Sequence, residues 1–248
     1  MSSRNSAVDR KLLAQSWQSV ASLIDHTNLR PEATPSDILR LCEEARAFNL
    51  GAVMINPCYV GLAFEQLRDS SVKVGAVVGF PLGATLTSVK VFETEQTLTL
   101  GAREIDMVMN IGWLKAGRRE QVLADIGAVA EVVHARGALL KVILETGSLT
   151  RDEKLAACEI SERAGADFVK TSTGFLAGVA TVEDVALMRR AVTIGVKASG
   201  GIRTAADTRA MIEAGADRIG TSSSVKIIAE LQSEEPGKHS DLLPPGKP

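Results

Sequence analysis

RAGADFVK, residues 163–170, changes character halfway along. The residues before Gly165 continue a helix-like segment, and those after it form a short apolar run that ends on a lysine. Glycine reaches the left-handed backbone that closes a helix, so the Gly-Ala pair reads as the turn from helix into strand. The same punctuation recurs in NLGAVMI at Gly51, TLGAREIDMV at Gly101, ARGALLKVIL at Gly137 and EAGADRIG at Gly215. Three further runs, ASLIDHT, VKVGAVVGF and TIGVKAS, read as strands without it.

Together these predict eight strands, near residues 22–26, 51–55, 73–79, 104–109, 139–145, 166–170, 194–198 and 217–220. Helix-like segments such as 36–48 and 118–135 separate them. Strict alternation of strand and helix favours a parallel sheet. Eight such units in 248 residues predict an α/β fold, a (β/α)8 TIM barrel with an extra N-terminal helix. A doubly wound open sheet is the alternative, but its G-x-G-x-x-G fingerprint is absent.

The leading helix follows from Leu13, Trp17 and Val20, spaced i, i+4, i+7. The expected organisation is an N-terminal helical extension over 1–20, the barrel over 21–231 and a mobile tail over 232–248. That tail, QSEEPGKHSDLLPPGKP, holds four of the eight prolines and no regular period.

With 45% hydrophobic residues the chain can bury a large core, and a net charge of −2 gives no reason to expect nucleic acid or an anionic membrane as partner. No apolar run approaches the roughly 18 residues of a membrane helix. Cys42, Cys58 and Cys158 lie far apart, which argues against a disulfide framework or structural zinc and for a cytoplasmic location.

Barrel active sites lie at the carboxyl ends of the strands. Those ends carry Asp25, Asp106 to Asn110, Glu145, Lys170, Lys197 and Ser199. Side chains alternate along a strand, so Lys141 and Glu145 are expected on one face, and Asp106 shares its face with Glu104 and Val108. Lysines at such positions commonly snorkel into the loops. If instead they point inward with Asp106, they need mutual pairing, because a lone buried charge is costly. Lys141, early in its strand, suits a structural ion pair. A neutral lysine attacks carbonyls, and a neighbouring ammonium plus burial lowers its pKa enough to free it. On spacing alone, Lys170 and Lys197 are equal candidates.

ASGGIRTAADTRAM (198–211) places Gly200, Gly201 and Arg203 after the seventh strand, with Thr204 as a helix N-cap. RIGTSSSVKII (218–228) places Gly220, Ser222 and Ser223 after the eighth. Loops after strands seven and eight that end on helix N-termini suit a phosphate; the plain alternative is ordinary turns and caps. Of the three histidines only His26 lies near these strand ends, too few for zinc, and it is expected to hydrogen-bond Asp25. No G-x-S-x-G elbow appears, and Cys42 and Cys158 fall in helical segments.

The segments LIDHT, VGFPLGA with VKVFE, EIDMVMNIG, KVILETG, FVKTSTGF, VKASGGIR and IGTSSS, in this order, resemble the deoxyribose-phosphate aldolase family of class I aldolases over about four-fifths of the chain. The resemblance implies Lys170 as the Schiff-base lysine, Lys197 as its pKa perturber and proton relay, and Asp106 as the proton-relay carboxylate. It implies phosphate contacts at or beside Gly174, Gly200, Gly201, Arg203, Gly220, Ser222 and Ser223, and Asp25 and Thr27 on the substrate's hydroxyl side. The implied reaction is reversible cleavage of 2-deoxy-D-ribose 5-phosphate to glyceraldehyde 3-phosphate and acetaldehyde, with no metal or organic cofactor. Its partners would be small phosphorylated sugars and aldehydes, and a homodimer is compatible with such a barrel. The alternatives are a Schiff-base aldolase for another phosphorylated sugar and an inactive phosphosugar-binding barrel. Two departures stand out: Met54 where many members carry cysteine, and no C-terminal tyrosine, the only tyrosine being Tyr59.

Overall fold

A computed structural model describes residues 16–176 and 178–234. Eight parallel strands close into a barrel in sequence order: β1 Ile24–Asn28, β2 Ala52–Ile55, β3 Lys73–Val78, β4 Glu104–Val108, β5 Leu139–Ile143, β6 Phe168–Lys170, β7 Gly195–Ser199 and β8 Arg218–Thr221. β8 pairs with β1 to complete the ring, His26 opposite Thr221. All eight strands lie where the Gly-Ala units and apolar runs predict them.

Helices connect the strands, and several start with the same chemistry. Thr34, Thr150 and Thr204 each accept from a backbone N–H three residues on, while Asp37, Glu153 and Asp207 reach back to the threonine N–H. These reciprocal boxes satisfy donors that a helix start leaves open. On the helix Pro35–Ala47, Ile38, Leu41, Cys42 and Ala45 form one buried stripe against the outer face of the sheet.

Four of the five punctuating glycines have positive φ, from 63° at Gly137 to 119° at Gly215. Gly51 differs. Asn49 takes the left-handed conformation there, and Gly51 is required because a Cβ would stand 2.4 Å from the Ser22 carbonyl oxygen.

Outward residues of the strands, such as Val53, Ile105, Val142, Val169, Val196 and Ile219, pack under the helices as the main core. Inside the barrel the contents divide. Leu29, Met54 and Val77, with Phe80 against them, make a small apolar cluster beside β1 to β3. The rest of the interior, from β4 round to β1, carries the buried charged side chains Asp25, Glu104, Asp106, Lys141, Lys170 and Lys197.

A short helix, Trp17–Ser22, precedes β1 and buries Val20 and Ala21. Residues 1–15, which include most of the expected N-terminal extension, lie outside the described residues. The last helix, Ser224–Glu234, takes in the first three positions of the expected tail, and 235–248 lie outside the described residues. No helix among the described residues is long and apolar enough to cross a membrane.

Candidate active site

Strand register brings the charged side chains together. Asp106 on β4 stands opposite Lys141 on β5, and Lys170 on β6 stands opposite Lys197 on β7. Lys170 Nζ donates to Asp106 Oδ2 at 2.7 Å, and Lys197 Nζ donates to that same oxygen at 2.7 Å. Lys141 Nζ donates to Asp106 Oδ1 at 3.1 Å and to Glu104 Oε2 at 2.5 Å. Lys197 also donates to Asp25 Oδ2, and Arg218 pairs with both Asp25 and Glu104. None of the lysines snorkels: Lys141 and Lys197 are fully buried and Lys170 is 3% exposed.

This connected group contains four cations, Lys141, Lys170, Lys197 and Arg218, against three carboxylates, Asp25, Glu104 and Asp106. One ammonium is therefore in excess, and a buried excess charge is relieved by releasing its proton. Among the described residues, Lys170 pairs with Asp106 alone, whereas the other three cations each reach at least two carboxylates. Burial pulls the Lys170 pKa down, Asp106 opposes it, and Lys197 and Lys141 lower it further, to about 8. Burial pushes Asp106 up, but Lys141, Lys170 and Lys197 outweigh it and hold the carboxyl well below the ordinary range. Asp25 is likewise depressed, against the effect of burial, by Lys197, Arg218 and Lys141. Lys141 moves the other way: its three carboxylates overcome burial and raise it.

A cavity of about 940 Å³ opens above this group at the carboxyl ends of the strands. Of the residues predicted for the site, Lys170, Thr27, Gly174, Gly200, Gly201, Arg203, Gly220, Ser222 and Ser223 line it. Asp25, Asp106 and Lys197 do not; they are fully buried. Of the four cations, Lys170 alone lines the cavity.

The wall that could take an anion is built from turned backbone and a helix start. Gly174, Gly200 and Gly201 have φ of 80°, 97° and 78°. Ser222 and Ser223 lead into the helix Ser224–Glu234, whose N-terminus carries the positive end of the backbone dipole. Lys226 joins Arg203 in this wall. Thr171 and Ser199 lock the ends of β6 and β7 together, Thr171 Oγ1 donating to the Ser199 carbonyl at 2.8 Å and accepting from the Ser199 N–H at 2.9 Å. Gly220 makes room for Lys197: a Cβ there would stand 3.0 Å from Lys197 Cε and 2.9 Å from Ser199 Cβ.

Two sequence expectations need correction. His26 does not bond Asp25; its Nε2 lies 2.7 Å from Glu44 Oε2. Adjacent residues of a strand point to opposite faces, so Asp25 enters the barrel and His26 meets the helix Pro35–Ala47. Glu145 does not share the inner face with Lys141. β5 ends at Ile143, Glu145 turns left-handed at φ 58°, and its carboxylate accepts the Thr173 N–H at 2.9 Å. Sequence reasoning also missed Arg218. Its place two residues before Gly220 on β8 was the available signal, because both then share the inner face. Tyr59 donates to the Ala33 carbonyl at 2.5 Å and is not part of the cavity wall.

A family model described as DeoC/LacD family aldolase matches residues 19–229. A deoxyribose-phosphate aldolase from Caldanaerobacter subterraneus subsp. tengcongensis is 54% identical over 223 residues, covering 89% of this chain and 96% of that one. One from Thermococcus kodakarensis is 57% identical over 219 residues, covering 87% and 98%. Among solved structures, the deoxyribose phosphate aldolase from Aeropyrum pernix, described as a unique tetramer, superposes with a TM-score of 0.83 at 34% identity, covering 93% of this chain and 99% of that one. The matched region takes in all eight strands and all seven charged groups beneath the cavity, and the chain belongs to the DeoC/LacD family of aldolases.

Proposed function

We propose that the chain catalyses reversible aldol cleavage of 2-deoxy-D-ribose 5-phosphate to D-glyceraldehyde 3-phosphate and acetaldehyde, with Lys170 as the Schiff-base amine. The observation that carries this is the excess ammonium: Lys170 faces the cavity, has one carboxylate partner and is pulled to about 8. Relative to an ordinary lysine, that raises the neutral fraction at pH 7 by roughly 300-fold.

Neutral Lys170 attacks the sugar's aldehyde carbon, and loss of water gives a protonated imine. Asp106 and Lys197, both in contact through one oxygen, move the protons this step needs. The iminium accepts the electron pair of the breaking carbon–carbon bond as the sugar's hydroxyl gives up its proton and becomes the aldehyde of glyceraldehyde 3-phosphate. The remaining enamine takes a proton on carbon, and water hydrolyses it to acetaldehyde and free Lys170. The phosphate sits on the wall of Gly174, Gly200, Gly201, Ser222 and Ser223, with Arg203 beside it. Gly220 lines the cavity next to Lys197, and Thr27 offers its hydroxyl to the sugar. Asp25, fully buried, acts by holding Lys197.

A cytoplasmic enzyme fits three free cysteines, one of them, Cys58, exposed. Self-association, as a dimer or higher, fits the exposed Leu82, Leu86, Val89 and Phe92, which form a run on and before the helix Thr87–Thr99.

The test is a turnover assay with 2-deoxyribose 5-phosphate beside ribose 5-phosphate. Acetaldehyde release from the deoxy sugar is expected; turnover of ribose 5-phosphate alone, or of neither, contradicts the assignment.

A further inference from the structure

Glu145 is fully buried, pairs with no cation among the described residues and takes no part in the charged group beneath the cavity. It is also one of two non-glycine residues with positive φ among the described residues, at 58°. Holding a glutamate left-handed costs on the order of 1 kcal/mol, so its side chain must be placed there by something that offsets that strain.

The placement is a clamp on the loop between β6 and the helix Val182–Ala191. Oε2 accepts the Thr173 N–H at 2.9 Å. Oε1 has no hydrogen-bond partner among the described residues and lies 2.9 Å from where a Cβ on Gly178 would stand. Between these points Thr173 Oγ1 accepts from the Phe175 N–H at 3.1 Å, shaping the turn that puts Gly174 and Phe175 in the cavity wall. Beyond Gly178 the loop packs onto the glycine turn after β7. Ala180 N–H donates to the Gly200 carbonyl at 3.0 Å. Cβ atoms on Gly200 and Gly201 would stand 3.4 Å from the Gly178 carbonyl oxygen and 3.1 Å from Val179 Cγ1. Glu145 thus braces, through one loop, both Gly174 and the Gly200–Gly201 turn.

We propose that Glu145 is a positioning residue for substrate phosphate, setting Thr173 and Gly178 against the Gly200–Gly201 turn. This rests on the aldolase reading above. It predicts a defect confined to phosphorylated substrate, because the amine of Lys170 belongs to a separate group of contacts.

The experiment measures kcat and KM of the full chain with 2-deoxyribose 5-phosphate and with unphosphorylated 2-deoxyribose. Glu145→Ala is expected to raise KM for the phosphate ester about fivefold, the scale of one lost hydrogen bond, with the unphosphorylated sugar unaffected. Glu145→Gln keeps an acceptor for the Thr173 N–H and is expected to rescue. Gly178→Ala, whose Cβ would stand 2.9 Å from Oε1 and 3.2 Å from the Gly147 backbone, presses the loop off Glu145 and should reproduce the phosphate-specific defect, and it decides the matter alone if Glu145→Ala does not fold. Equal losses on both sugars, or no loss in Glu145→Ala and Gly178→Ala, overturn the proposal. Failure of the unaltered protein to turn over the phosphate ester overturns the aldolase reading instead, so the two failures are distinguishable.

Discussion

Lys170 and Lys197 stand opposite each other on neighbouring strands and donate to one oxygen, Oδ2 of Asp106. Two ammonium groups so close repel each other, and the shared carboxylate holds them together without balancing both. With Lys141, Arg218, Asp25 and Glu104 counted, the connected group becomes neutral when a single proton leaves. Lys170 has the fewest partners, so it is the group that gives up that proton.

Removing Lys197 inverts this balance. In Lys197→Leu, three cations would face three carboxylates with Lys170 still protonated, so the Lys170 pKa rises from about 8 toward its ordinary value. Activity near pH 7 should fall on the order of 100-fold, and the rising limb of the pH–rate profile should move to higher pH. An unchanged limb, measured by kcat/KM from pH 6 to 10, contradicts the coupling.

The same excess charge predicts a gain in stability on inactivation. A lysine whose folded pKa is lowered to about 8 destabilises the fold while it is charged in both states. The penalty is full below pH 8, shrinks as pH rises and vanishes near the unfolded value of about 10.4. Lys170→Met should therefore stabilise the protein by on the order of 3 kcal/mol at pH 7 and by little at pH 10.5. Thermal melts at both pH values check this; destabilisation at pH 7 would mean that the Lys170–Asp106 pair outweighs the excess charge.

Gly220 tests the geometry rather than the charge. A methyl group there would stand 3.0 Å from Lys197 Cε and press the chain away from Asp25 and Asp106. Gly220→Ala should cost about 1–3 kcal/mol of stability by overpacking. It should lower kcat more than it raises KM, read from saturation curves with 2-deoxyribose 5-phosphate. A wild-type kcat would show that Lys197 need not lie where the strand places it.

The barrel was legible because its signals are local. A glycine that closes a helix and the apolar run that follows it are properties of short segments, and five such units with three unpunctuated apolar runs counted out the strands. Alternation also placed Asp106 and Glu104 on one face, and it should have separated His26 from Asp25, which are neighbours in sequence and opposite in direction. The choice between the lysines was not legible from spacing, because register puts Lys170 and Lys197 at the same height in the barrel. What separates them is lateral: the bare Gly220, in register with Asp25, lets Lys197 reach across to that carboxylate, while Lys170 lines the cavity. Glu145 was misplaced for a different reason. Nothing in a glutamate announces a left-handed backbone, so the strand rule was carried two residues too far.

Borohydride reduction in the presence of acetaldehyde, followed by mass spectrometric mapping of the modified lysine, tests the central claim most directly. The account predicts one two-carbon adduct, on Lys170, formed by the unaltered protein at neutral pH. An adduct on Lys197, or none, would contradict it.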